Sequence, residues 1–159
     1  MKHASAQANT ANFAEPARHG LDDGGLRMRL GYQLRRADLA MQQAFAREIG
    51  ETFNLRQVEF SVLALLATND AVRHKQISEV LGVAPSNMVG VMSGLEQRQL
   101  IKCRPDPSDG RSRFWLLTEP GRKLEREVAQ AISEMEHRFV LERGAGDAAL
   151  LVQALDRLW

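Results

Sequence analysis

Residues 75–121, KQISEVLGVAPSNMVGVMSGLEQRQLIKCRPDPSDGRSRFWLLTEPG, restrict what this chain can fold into more than any other stretch. Residues 75–81 place Ile77, Val80 and Leu81 at the spacing of a short helix with one buried side. Gly82 follows, where a turn with positive φ costs glycine least. Pro85 suits the first turn of a second helix, because its missing N–H has no intrahelical partner there. That helix, residues 85–98, is expected to bury Met88, Val91, Met92 and Leu95 and to present Ser86, Asn87, Gly90, Ser93, Gly94 and Gln97. Its polar face carries no acidic residue before Glu96, which suits an approach to phosphates. Residues 100–104 and 112–117 read as two short strands, and the intervening RPDPSDGR is built of turn formers. Helix, turn, helix and basic hairpin together predict a winged helix-turn-helix, a shape suited to duplex DNA.

The flanks are helical. Leu30, Leu34, Ala37, Met41, Phe45 and Ile49 recur three or four apart and predict one long helix over residues 26–49. Residues 55–67 predict a second, strongly apolar helix with Leu55, Val58, Val62, Leu65 and Leu66 inward, broadened by Phe60 and Leu63. TNDAVRHK then reads as a loop. After the hairpin, Thr118 fits an N-cap with Pro120 in the first turn of another long helix, striped by Leu124, Val128, Ile132, Met135 and Phe139. A short helix with Leu150, Leu151, Leu155 and Leu158 closes the chain. Residues 1–24 are poor in large apolar side chains and predict a flexible arm. The expected plan is mainly α with a small β-hairpin wing: one domain over residues 25–159, its winged helix-turn-helix at about 55–118. Apolar stripes at about 26–50 and 119–159 exceed what so small a lobe can cover, so both chain ends are expected to form a homodimer interface. Two-fold symmetry would then set the reading helices one DNA turn apart, about 34–36 Å.

Charge supports this locally rather than globally. The net charge of the chain is +1, yet residues 98–113 hold Arg98, Lys102, Arg104, Arg111 and Arg113 against Asp106 and Asp109. Such a patch is the footprint of phosphate contact, although charge alone also fits a solvated surface. The single cysteine excludes an intramolecular disulfide, and no apolar run nears the ~18 residues of a membrane span. With no secretory apolar segment at the start, the expected location is the cytoplasm. No glycine-rich phosphate loop, G-x-S-x-G elbow or HExxH helix points to an enzyme, and no cofactor is expected.

The hairpin is more specific still. Asp109, Gly110 and Arg111, preceded by Pro107, are followed by Leu117, Thr118 and Gly121, after a helix ending in Leu95, Glu96, Arg98 and Leu100. This D-x-R…L-T-x-x-G pattern after L-E-x-R-x-L resembles the MarR family of multiple-antibiotic-resistance regulators, over roughly residues 28–158. The resemblance implies an obligate homodimer gripping a pseudo-palindromic operator on double-stranded DNA, usually as a repressor released by a small phenolic or aromatic anionic ligand. Carried onto this chain, it places Ser86, Asn87, Met88 and Gly90 at the major groove and Arg111 in the minor groove, with Asp109 holding the arginine. Arg73, Arg98 and Arg113 become phosphate or orienting contacts. For the effector it implies a pocket between the dimer lobe and the winged domain, with Tyr32, Arg35, Arg36, Met41 and Phe60 as candidates for binding an aromatic acid or its thioester.

Three positions depart from the family pattern. Gly90 and Gly94 stand where larger, often basic, side chains are usual, which leaves fewer groups to read bases and favours phosphate and shape readout. Gln99 replaces a glycine at a turn where a left-handed backbone strains any other residue. Cys103 lies in a wing strand rather than in the first helix, where the family's peroxide sensors keep theirs, so a small structural residue is expected. His3, His19, His74 and His137 are too scattered for a metal site. The leading expectation is a ligand-responsive repressor. The rival readings are a dimeric winged-helix interaction module without DNA binding and a redox-responsive regulator without a small-molecule effector.

Overall fold

The computed structural model describes residues 24–106 and 109–158, of which the side chains of residues 106 and 109–112 are not described. The predicted arm therefore lies outside the described residues except for Gly24. Two compact units follow one another along the chain, the first ending at Ala37 and the second starting at Asp38.

In the first unit a single 3-10 turn, Leu26–Met28, leads to Arg29, whose φ of −95° and ψ of 124° are extended. α1 (Leu30–Phe45) starts only after that break, so the predicted continuous helix from Leu26 is corrected. Leu30 and Leu34, on the predicted apolar stripe, are 64% and 37% exposed.

The second unit includes the end of α1, where Phe45 is buried, and Ile49 is buried just beyond it. The helix widens into a π turn over Ala46–Gly50, resumes as α2 (Glu51–Phe53) and stops at Asn54, which adopts the left-handed region at φ 48°. α3 (Gln57–Thr68) runs through the core and buries Val62, Leu63 and Leu66, as its apolar sequence requires. Next come β1 (Val72–Arg73), α4 (His74–Val80) and α5 (Pro85–Gln97), with Pro85 at the start of α5 and Gly82 at φ 60° in the turn before it. Within α4, Ser78 rather than Val80 shares the buried side with Ile77; Val80 is 66% exposed, which corrects its predicted inward position.

β2 (Ile101–Asp106) and β3 (Asp109–Leu117) form the hairpin, longer at its tip than the predicted strands. β1 adds a third antiparallel strand, in the order β1-β3-β2. At two residues β1 is too short to show an alternating pattern, which is why it reads as loop in the sequence. α6 (Glu119–Glu142) follows with Val128 and Met135 buried, as the stripe predicts. Thr118 caps it by accepting a hydrogen bond from the Gly121 N–H at 3.1 Å. The same hydroxyl, as donor, lies 2.7 Å from the Gln99 carbonyl oxygen and 2.9 Å from that of Leu100, so one side chain ties the base of the wing to the start of α6. Arg138 of α6 pairs with Glu48 of the π turn. α7 (Ala148–Asp156) is capped by Asp147 and buries no residue. The result is a mainly helical chain with a small wing sheet, as predicted. No described helix is long and apolar enough to cross a membrane.

Candidate nucleic-acid interface

α5 divides sharply into two faces. Met88, Val91, Met92 and Leu95 are buried, while Ser86, Asn87, Val89, Gly90 and Ser93 are exposed. Met88 is 0% exposed and belongs to the core, so it has no surface to offer a base edge; its predicted place among the base contacts is corrected. Val89, outside the predicted contacts, is 58% exposed. An exposed valine beside an asparagine pairs a contact for a thymine methyl group with a bidentate reader of adenine. Ala84 gives the helix no side-chain cap, which leaves the positive end of its dipole open. Around Gly90 nothing lies within 4 Å of where a β-carbon would be, so internal packing does not require this glycine.

The wing has two unlike faces because side chains alternate along each strand. Val72, Trp115 and Cys103 share one row, and Arg73, Phe114 and Arg104 share the next. The Arg73 guanidinium stands 5.4 Å from the centre of the Phe114 ring. Arg73 and Arg104 are both exposed, so the outer face of the sheet is a cationic row around an aromatic ring. Arg104 was absent from the predicted contacts; only the strand register aligns it with Arg73. Arg113 is also exposed, and its guanidinium approaches the Cys103 sulfur at 3.9 Å. Asp109 and Arg111 lie in β3 towards the hairpin tip; their side chains fall outside the described residues.

Arg98 behaves differently from the other predicted phosphate contacts. It stands at the C-terminal end of α5 with its guanidinium 4.0 Å from Glu59 and 3.5 Å from the Phe53 carbonyl oxygen. Of the two predicted roles, the contacts to Glu59 and Phe53 are of the orienting kind, and Arg98 remains exposed. Glu59 is 7% exposed and accepts hydrogen bonds from the Arg56 backbone N–H and guanidinium, both at 2.8 Å. Burial raises the pKa of Glu59, but the hydrogen bonds from Arg56 and the nearby charges of Arg56 and Arg98 outweigh it and hold the carboxyl below its ordinary value.

This cluster opens on a cleft of about 1080 Å³ within the second unit. Phe45, Leu55, Val58, Leu81 and Val83 give it apolar walls, and Asp38, Glu51, Arg56, Glu59 and Arg98 give it charge. None of the five predicted effector contacts lines it. Met41 and Phe60 pack half-buried against the core of the second unit. Tyr32, half-buried, and the exposed Arg35 and Arg36 belong to the first.

Known proteins place this arrangement in context. The model of the MarR family matches residues 55–112, which span α3, the helix-turn-helix and the wing up to Ser112. A putative transcriptional regulatory protein for the hcr operon of Thauera aromatica is 27% identical over 158 residues, covering 99% of this chain and 92% of the relative. The structure of the transcriptional repressor CouR bound to a 23-mer DNA duplex is 30% identical, with a TM-score of 0.79 over 87% of this chain and 97% of that one. CouR from Rhodococcus jostii RHA1 bound to p-coumaroyl-CoA is 25% identical in its alignment, with a TM-score of 0.73 over 84% of this chain and 90% of that one.

Proposed function

The chain belongs to the MarR family of DNA-binding transcriptional regulators, and from that premise we propose a homodimeric repressor released from its operator by an aromatic acid or its coenzyme A thioester. The observation that carries the DNA-binding part is the likeness, across nearly the whole of that chain, to a repressor held on a DNA duplex. The exposed face of α5 fits it: Ser86 and Asn87 offer hydrogen bonds, Val89 an apolar contact and Gly90 room for close approach. Arg111 is assigned to the minor groove with Asp109 as its holder, and Arg73, Arg104 and Arg113 to phosphates.

The homodimer is supported by apolar surface that this chain leaves exposed. Leu30 and Leu34 of α1, and Leu150, Val152 and Leu155 of α7, are each at least 37% exposed. A second copy would remove such surface from water, at about 25 cal/mol per Å². The effector class is supported by the p-coumaroyl-CoA bound to CouR.

Fluorescence anisotropy on the DNA upstream of the protein's own gene tests this reading. Binding is expected, with log affinity falling against log salt by about 0.9 for each phosphate contacted. Adding p-coumaroyl-CoA should release the DNA, and p-coumarate alone separates the acid from the thioester. Arg111→Ala should weaken binding while sedimentation still shows a dimer. An absence of binding at any palindrome would favour the interaction module instead.

A further inference from the structure

Glu59 has no assigned role in the proposed function, yet the entrance of α3 and the end of α5 both meet at it. It lies on α3, whose Val62, Leu63 and Leu66 fix that helix in the core. Its carboxylate holds Arg56 at the entrance of α3 through two hydrogen bonds of 2.8 Å. It lies flush against α5, where a β-carbon on Gly94 would stand 3.9 Å from Glu59 Oε1. It also faces Arg98 at the end of α5, at 4.0 Å, and Arg98 reaches on to the Phe53 carbonyl. A cation at a helix C-terminus is favoured by the helix dipole as well, so Arg98 is held from two sides.

Resting on the DNA-binding reading, we propose that Glu59 is a positioning residue for DNA discrimination. Through Arg98 it sets the angle of α5, so that Ser86, Asn87 and Val89 at the far end meet base edges in register. The lever is long: Arg98 and Ser86 are about 18 Å apart at the helical rise, so a tilt of about 5° moves the reading end by about 1.5 Å. Direct base contacts fail at such displacements, because hydrogen bonds weaken within a few tenths of an ångström. Phosphate contacts through long basic side chains tolerate them. Loosening Arg98 therefore lowers specific binding and spares non-specific binding. The contacts to Arg98 are long, so the effect is modest.

The experiment measures wild type, Glu59→Gln, Arg98→Gln and the double variant by anisotropy, on the operator and on a scrambled duplex of equal length and salt. Each single variant is expected to lower the operator-to-scramble affinity ratio roughly fivefold, with scramble affinity within about twofold of wild type. The double variant should lose no more than the worse single, because both act through one link. A parallel loss on both duplexes would make Arg98 a phosphate contact and overturn the proposal; an unchanged ratio or fully additive losses would overturn it too. If Glu59→Gln unfolds, Arg98→Gln carries the test, since Glu59 keeps Arg56. A wild-type protein without preference for its upstream region would sink the DNA-binding reading itself. Wild-type preference retained in Arg98→Gln sinks only this proposal.

Discussion

A β-carbon on Gly121 would stand 2.0 Å from the carbonyl oxygen of Leu100. That carbonyl has little freedom to retreat, because it accepts a hydrogen bond from the backbone N–H of Thr118 at 3.1 Å and lies 2.9 Å from its hydroxyl, whose one proton it shares with the Gln99 carbonyl at 2.7 Å. The first turn of α6 and the root of the wing are thus pressed together at a point only glycine fits. Gly121→Ala is expected to cost about 3 kcal/mol or more, since the clash is with backbone. Urea denaturation gives the value, and an alanine variant within about 0.5 kcal/mol of wild type would contradict the close approach.

Thr118 makes the companion case. Thr118→Ala removes an N-cap and the hydroxyl's bond to the wing, and should cost about 1–2 kcal/mol. Thr118→Ser keeps the hydroxyl and is expected to recover most of that stability. Equal losses in both variants would assign the effect to the methyl group instead.

Gly90 is the opposite of Gly121. With open space around it and a helical backbone, Gly90→Ala should stabilise the fold by about 1 kcal/mol. Operator affinity should nevertheless fall, by roughly threefold or more, because the added methyl group stands on the face assigned to DNA. A thermal melt and a binding isotherm on the same variant check both halves. Stabilisation with undiminished affinity would remove the close approach of α5 to DNA at this position.

Acidification should weaken the fold through Glu59. Its folded pKa is depressed below the ordinary 4.5, so its stabilising contribution is complete above about pH 4.5 and is lost as the pH falls through the folded value. Below that point the unfolded chain no longer binds more protons than the folded one at this site. Glu59→Gln should therefore be less stable than wild type at neutral pH, with the gap closing on acidification. Denaturant midpoints at several pH values between about 3 and 7 measure this, and a constant gap would contradict it.

Several local features were legible from residues alone. Gly82 occupies a positive φ of 60° and Thr118 caps α6. Each follows from backbone preferences that act over a few residues and need no distant partner. The stripe of α6 and the buried face of α5 were equally readable, because helical periodicity survives wherever one side meets a core.

The break at Arg29 and the π turn at Ala46–Gly50 were not readable, since the apolar spacing runs through both without interruption. Chance spacing can continue a pattern after the backbone has left it. β1 was missed because two residues carry no period, and its partner β3 lies some forty positions later.

The sequence by itself determined the order of the main helices and the hairpin, hence the winged helix-turn-helix, which rest on short-range conformational preference. Only the tertiary structure decided which way charged and borderline side chains face. Arg98 reaches towards Glu59 and Phe53, Ser78 displaces Val80 from the buried side, and Arg104 joins Arg73 across Phe114. The physical reason is common to all three. A long cationic side chain, or a residue at the edge of an apolar face, takes its direction from the groups that folding brings beside it, and those come from distant parts of the chain.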